Sequence, residues 1–572
     1  MVSIEQDVSK QGVRVFGTDR AVWALPIALA VMAVLMLRQI GNPDLGYPDA
    51  DRLMLDGVFI LDFLRDLPLT RIYDYAINYY AQYPGLSIGY RPPFFPLVEA
   101  LFNAVLGVNT WSSRLAVLAF ALVGASAWFA LVRRVFDTGT AFWATLLLGT
   151  TPFVVRWGWY TMGEIPVLSM AMLCGYVFYR YTETRHPAWL YTTALVYGTA
   201  AWTKQTAVFI AIWFLLYLLF RGQLPAQLRR RETWIASALV VLIIAPLAAI
   251  TLWLGEMNIA QSVGNTGVLK HTGRSSWTNL SLHLNTLYHA HLSLPVLLLS
   301  VGGMLWAALR RDGRTLYFAL LIVGTYGFFT YLAGKNPRYP IFWIPAFCLF
   351  AVLFMQYLGQ HLERLALIRH GSRPIAVLLL LLVGYQIHLN YRYSPAYASG
   401  YDTAARHVLA HSQSPTVFFD GYNNGYFTYF MRALDPVRSM YVLRGDKLLT
   451  STAIGGHRWL EVHAQTRDDI QRMFDDYGVE FVVVESKDWS GMEIHQQLRD
   501  YLRSGPFRLD ARIPIETNRQ PLRDRSLEIY RYQNYQPVTA EYLKLRLPVV
   551  GKTIQVPFRQ RVEALSGEVS AP

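Results

Sequence analysis

The sequence predicts an α-helical polytopic membrane protein of about eleven transmembrane helices, with a C-terminal soluble α/β domain. Three observations carry that class. Of 572 residues, 53% are hydrophobic and only 16% are charged, against about 25% charged in ordinary soluble domains. Apolar runs of ~20 residues, each long enough to cross a hydrocarbon core, recur along the first two thirds of the chain. From about residue 390 the pattern changes to short β-rich runs separated by amphipathic stretches. The net charge of +13 sits mostly on arginines in short loops. That is the positive-inside bias of a membrane protein, so the charge does not call for a nucleic acid. Cys174 and Cys348 lie inside apolar runs, so no disulfide framework is indicated.

The first span covers residues 21–40. Arg38 and Gln39 follow its apolar run without a small-residue cleavage site, so it reads as a retained anchor with the N-terminus inside. The next stretch, 41–96, is then an outer loop. It holds seven aspartates: Asp44, Asp49, Asp51, Asp56, Asp62, Asp66 and Asp74. Residues 94–107 are apolar but short and lie on or partly in the membrane. A second span, 113–131, ends at Arg133 and Arg134, which mark the cytoplasmic side.

Three long apolar runs follow one logic. Each of 139–180, 188–220 and 315–358 is flanked by basic residues at both ends and interrupted in the middle. The interruptions read RWGWYTMGEIP, WTKQT and GKNPRYP. As one helix, 188–220 would be ~50 Å long against a core of ~30 Å. Each run is therefore a hairpin with its turn on the outer face. This places Arg156 and Glu164, then Lys204, then Lys335, Arg338 and Tyr339 on the side of the aspartate loop. Another hairpin, 233–254 and 292–309, carries an outer loop, 255–291, with Gly255, Gly264, Gly267 and Gly273. Lys270 and Arg274 make it a flexible substrate-facing loop or a plain connector. A last span, 374–389, exits outward. The domain boundary falls at 390/391, with a helical catalytic domain before it and an outer α/β domain after it. The tail beyond about 538 shows no clear pattern.

The candidate site residues follow from this placement. Asp49 and Asp51 begin an amphipathic stretch, where a helix dipole stabilises carboxylates and where one of them can take a proton from an attacking hydroxyl. Asp62, Asp66 and Asp74 read equally as solvated surface. A lysine within a span is costly, but at a hairpin tip Lys204 reaches water or a phosphate. Lys335, Arg338 and Tyr339 put two cations and a phenol at another tip, and Arg91 follows the acidic loop. Arg binds phosphate with its planar fork and Lys as a point charge. His283, His289 and His291 lack metal-ligand spacing. A divalent cation held by Asp49, Asp51 and Glu164 stays open as an alternative. No nucleotide-binding fingerprint follows a strand.

In chain order the motifs are Pro48-Asp49-Ala50-Asp51, Arg91-Pro92-Pro93, Glu164, Thr203-Lys204 and Lys335 with Arg338-Tyr339. The set resembles the GT-C glycosyltransferases of the protein O-mannosyltransferase and lipid A aminoarabinose transferase type, across residues 20–350. That resemblance implies the GT-C fold. It further implies inverting transfer of a hexose or pentose from a polyprenyl-phosphate donor to a lipid, glycan or protein acceptor. The setting it implies is the non-cytoplasmic face of a bacterial cytoplasmic membrane, with undecaprenyl phosphate the bacterial form of the carrier. It makes Asp49, Asp51 and Glu164 the catalytic carboxylates, with Asp49 the expected base. Arg91, Lys204, Lys335, Arg338 and Tyr339 become the donor-phosphate group. The competing class is a transporter or flippase of a lipid-linked anionic substrate, which would more often show internal repeats. A sugar-polymer ligase shares the donor type.

Overall fold

The computed structural model describes residues 22–44, 46–87, 90–255, 259, 262–264, 272–365, 372–453, 458–547 and 552–562. The N-terminal segment before residue 22 and Lys270, both part of the sequence expectations, lie outside these residues. The contacts divide the chain into two units. The first comprises Met1–Ile40, Arg114–Leu252 and Asn258–Ser394; the second comprises Gly41–Ser113, Trp253–Met257 and Pro395–Pro572. The aspartate loop thus groups with the C-terminal residues rather than with the helical domain in which the sequence reading placed it.

The first unit is helical. Each long apolar run breaks where its charged interruption falls. Helices Thr138–Thr150 and Pro152–Trp159 are followed by Glu164–Thr184. Pro187–Thr203 is followed, after Lys204, by a 3-10 turn and Phe209–Phe220. Leu316–Tyr331 is followed by a 3-10 turn, Tyr339–Trp343, and then Ile344–Arg364. The charge that could not sit in hydrocarbon is the point at which each helix stops. Among the described residues four helices are long and apolar enough to cross a membrane: Thr110–Val135, Arg231–Leu254, Tyr339–Arg364 and Arg373–Arg392. The pair Thr138–Thr150 and Pro152–Trp159, bent by 56°, counts as a fifth if it is one span. Shorter apolar helices cover Ala24–Leu37, Phe94–Leu106, Gln205–Phe220 and Leu294–Arg310.

Close helix packing in this unit depends on small residues. A Cβ built on Gly303 would lie 2.0 Å from the Phe350 carbonyl oxygen, so helices Leu294–Arg310 and Ile344–Arg364 meet backbone to backbone there. Only glycine permits that approach. Gly303→Ala is expected to destabilise the protein by about 1–3 kcal/mol. Gly327→Ala, where a Cβ meets nothing within 4 Å, should be tolerated. Thermal unfolding of the two variants in one detergent checks the contrast.

The second unit is α/β. Its nine strands among the described residues are β1 (Thr416–Asp420), β2 (Tyr441–Arg444), β3 (Thr450–Ala453), β4 (Arg458–Val462), β5 (Phe481–Glu485), β6 (Phe507–Pro514), β7 (Ser526–Tyr532), β8 (Tyr542–Leu547) and β9 (Lys552–Pro557). The main sheet runs β2-β1-β5-β7-β6, with β1 parallel to β2 and β5, and β7 antiparallel to β5 and β6. Strands β1, β2 and β5 are buried along their whole length, which explains the consecutive apolar residues at their centres. β8 and β9 form a hairpin in the tail where the sequence showed no pattern. Its period is two: Leu543, Leu545, Ile554 and Val556 are buried.

The aspartate loop and the apolar stretch after it supply three helices to this unit: Ala50–Asp66, Ile72–Gln82 and Phe94–Leu106. The last is amphipathic in reverse. Glu99 and Asn103 point inward, while Leu97, Leu101 and Val105 form an outward stripe at i, i+4, i+8. That arrangement suits a helix lying against lipid. Two of the aspartates read as surface are not free in solvent. Asp62 is buried and holds Arg432 through NH2 to Oδ1 at 2.6 Å and Nε to Oδ2 at 2.9 Å, and Tyr79 donates to the same carboxylate at 2.7 Å. Asp66 takes Arg438 at 2.5 Å and the Tyr75 hydroxyl at 2.7 Å. Asp74 is exposed.

Candidate active site

In the first unit, three residues from three chain breaks meet. Glu164 opens the helix Glu164–Thr184 and is 1% exposed. The Lys204 ammonium donates to its Oε1 at 2.6 Å, and Arg338 Nε stands 3.0 Å from the same oxygen. Lys204 is the extended residue that ends the helix Pro187–Thr203, and its stem runs 3.5 Å from where a Gly163 Cβ would be. The Tyr339 ring lies 5.7 Å from the Lys204 ammonium and 5.8 Å from the Arg338 guanidinium. Trp157 adds a second ring, 5.7 Å from Arg338. Lys204 and Arg338 thus share the Glu164 carboxylate, and the aromatic rings lend the two cations further electron density. The Lys204 and Arg338 side chains retain 21% and 12% exposure, so both can be reached. The arrangement can take an anion.

Loop 332–338 is held by a histidine that the sequence reading set aside. The Trp343 indole donates to His291 Nδ1 at 2.8 Å, so this nitrogen is the acceptor and Nε2 carries the proton. Nε2 then donates to the Pro337 carbonyl at 2.6 Å, next to Arg338. Lys335 is used differently from the expectation. It donates to the carbonyls of Phe329 and Thr330 at 3.0 and 2.6 Å and so caps the helix Leu316–Tyr331. Burial pulls its ammonium down to about 8. Arg274 donates to Val263 and Tyr331 carbonyls and stacks 4.9 Å from the Tyr331 ring, tying down its loop. Arg156 stacks 3.6 Å from the Tyr393 ring.

In the second unit, Asp49 and Arg91 form a pair. Arg91 NH2 is 2.9 Å from Asp49 Oδ1, and NH1 donates to the Asp49 carbonyl at 3.2 Å and to Ser87 Oγ at 3.3 Å. Behind them Asp56 accepts the Ser87 N–H at 2.7 Å and its hydroxyl at 2.6 Å. Ser87 therefore fixes the turn that carries Arg91, an arrangement no local motif announced. The two candidate bases separate here. The Asp49 side chain is 31% exposed, whereas Asp51 is buried and its Oδ2 lies 2.2 Å from where a Gly425 Cβ would be. Burial pushes the Asp51 carboxyl up to about 6. Asp51 packs against the first turn of the helix Asn424–Leu434, whose dipole favours a carboxylate. Among the described residues no three His, Cys, Asp or Glu side chains gather into a metal-binding group.

The model of the dolichyl-phosphate-mannose-protein mannosyltransferase family matches residues 90–250. No curated protein matches the sequence. Among solved structures, ArnT from Cupriavidus metallidurans bound to undecaprenyl phosphate superposes with a TM-score of 0.56 at 13% identity, covering 90% of this chain and 98% of that one. The chain carries the GT-C fold. The apo oligosaccharyltransferase of Archaeoglobus fulgidus shares this GT-C fold at a TM-score of 0.51 and 12% identity, over 82% of this chain and 70% of that one. The mycobacterial arabinofuranosyltransferase AftD shares it at 0.50 and 13%, over 91% of this chain and 40% of that one. The resemblance read from the motifs thus holds at the level of the GT-C fold, and with its apolar helices the chain is a multi-pass membrane protein.

Proposed function

We propose that this chain is a glycosyltransferase that moves a sugar from a polyprenyl-phosphate carrier to a lipid, glycan or protein acceptor on the non-cytoplasmic face of a bacterial cytoplasmic membrane. The observation that carries the reading is the convergence of Lys204 and Arg338 on the buried Glu164. Each comes from a break in an apolar run, and aromatic rings flank both cations. The leaving group of such a transfer is a lipid phosphate, and its developing charge needs preorganised cations. Lys204 and Arg338 would supply them, with Tyr339 beside both. Glu164 holds the two cations in place when no donor is bound. Lys335 supports the same loop through its helix cap rather than by touching phosphate. ArnT was solved with undecaprenyl phosphate bound, which favours a carrier of that chemistry here.

Asp49 would align the acceptor hydroxyl and take its proton, leading to inversion at the anomeric carbon. Arg91 orients Asp49 through its ion pair. Asp51 is better read as a packing residue, given its burial against Gly425. The flippase alternative gains no specific observation, since the charged groups sit at the ends of helices rather than midway along them. Lys204→Ala is expected to weaken binding of undecaprenyl phosphate by about ten-fold or more, since a hydrogen bond to a charged group contributes ~1.5–3 kcal/mol. Titration of the purified protein with that lipid measures it. Unchanged affinity would remove Lys204 from the phosphate site. Transfer of radiolabel from a polyprenyl-phosphate sugar in membranes tests the reaction itself.

A further inference from the structure

The helix Phe94–Leu106 turns polar residues toward the protein, which packing alone does not explain. Glu99 and Asn103 stand one turn apart at i and i+4, on the inward face, at 0% and 1% exposure. Glu99 lies directly on the helix Ala50–Asp66. A Cβ built on Gly57 would stand 2.9 Å from the Glu99 Cβ, 3.5 Å from its Cδ and 3.6 Å from its Oε2. The carboxyl is therefore held at the contact of two helices, with no side chain of Gly57 between.

Both Glu99 oxygens and both polar atoms of the Asn103 amide are buried without a hydrogen-bond partner among the described residues. The Ser113 hydroxyl, in the first turns of the helix Thr110–Val135, is 0% exposed and equally unpartnered. Ser113 is the one hydroxyl that acts on Glu99. No basic side chain pairs with Glu99 among the described residues. The one charge that acts on it is Asp56, next to Gly57 in the chain, and that charge is negative. Asp56 has its own partners. It accepts the Ser87 N–H at 2.7 Å and the Ser87 hydroxyl at 2.6 Å, and Arg91 and Arg52 both act on it.

A lone buried carboxylate is expensive and calls for a counter-charge. A proton on Glu99 removes the charge but leaves the Asn103 amide as stranded as before. A bound cation removes the charge and also takes the oxygens of Asn103 and Ser113. Carboxylate, amide and hydroxyl oxygens are the donors that suit a hard cation, and one carboxylate balances one positive charge. We propose that Glu99 and Asn103, with the Ser113 hydroxyl as a third donor, hold a monovalent alkali cation where the helices Ala50–Asp66 and Phe94–Leu106 meet. The site lies within the second unit alone and does not depend on the transfer reaction proposed above.

Thermal unfolding of the full chain in a neutral detergent tests this. Sodium, potassium and calcium chlorides are compared with choline chloride at matched ionic strength. Sodium or potassium should raise the midpoint saturably. E99Q should remove that rise, and N103L should weaken the apparent affinity at least about ten-fold. D74N, which alters an exposed carboxylate of the same unit, should keep it. In choline, where the wild-type carboxyl has no counter-ion, E99Q should unfold at or above the wild-type temperature. In saturating alkali ion it should unfold below it. No rise with either alkali ion overturns the site and leaves Glu99 a buried neutral acid. A rise that survives at wild-type affinity in E99Q or in N103L overturns it too, because the ion then sits elsewhere. A rise with calcium alone overturns the single positive charge of the proposal. E99Q less stable than wild type in choline is the sign of a glutamate that serves only the fold, and it also overturns the site. Should E99Q not fold, N103L decides, and an unchanged affinity in that variant ends the proposal.

Discussion

Asp49→Asn is expected to lower sugar transfer by about 10²–10⁴-fold, the usual contribution of a positioned general base, while leaving the protein folded. Asparagine keeps the shape and can still accept a hydrogen bond from Arg91, but it cannot take a proton. Stability should change little. Asp49 precedes the helix Ala50–Asp66 without making a side-chain cap bond, and its ion pair with Arg91 is partly exposed, where such pairs are worth ~0–1 kcal/mol. The check is a paired measurement of radiolabel transfer from a polyprenyl-phosphate sugar and of the unfolding midpoint. Full turnover in the variant would take the role of base away from Asp49. A parallel Asp51→Asn variant should show the opposite balance, with more effect on stability than on the chemical step, because that carboxylate is packed against Gly425.

The largest effect on stability is expected from Arg432→Ala. Arg432 and Asp62 are each about 2% exposed and bind through two parallel contacts, with the Tyr79 hydroxyl as third partner. Removing the guanidinium strands a carboxylate in a buried setting. Breaking a pair in that way costs about 3–5 kcal/mol. Asp62→Leu together with Arg432→Met should recover much of the loss, since no charge is then left alone. Denaturant unfolding of the full chain in one detergent gives both numbers. A single-variant loss under about 1 kcal/mol would mean that water reaches Asp62 and that the pair does not hold the aspartate loop to the helix Asn424–Leu434.

The charged residues mark where reading the sequence succeeds and where it stops. Glu164, Lys204 and Arg338 were legible because a charge inside an apolar run is costly. The cheapest resolution is a helix break, and the breaks stand at those positions. The GT-C resemblance was legible from the order of short motifs along the chain. The aspartates were harder. Composition shows seven carboxylates between spans, and that pattern suits catalysis, metal binding and solvation alike. What separates them is a partner far away in sequence: Arg432 for Asp62, Arg438 for Asp66, Gly425 for Asp51. No local periodicity points to those residues. Lys335 shows a related limit. Its neighbourhood of Arg338 and Tyr339 suggested phosphate, yet its ammonium satisfies the carbonyls at the end of its own helix, a demand every helix terminus makes. His291 has no sequence signal beyond a spacing that does not suit a metal. Its tautomer, set by Trp343, serves a carbonyl instead.

The proposed reaction needs positions 49 and 204 each to open to the non-cytoplasmic side of the membrane. Single cysteines at these two positions, labelled in intact cells with a membrane-impermeant maleimide, test that most directly. Cys174 and Cys348 are fully buried, so the background is low. Both positions should label from outside, and undecaprenyl phosphate should protect position 204. Labelling of 204 only after the cytoplasmic side is opened, with 49 labelled from outside, would contradict the account.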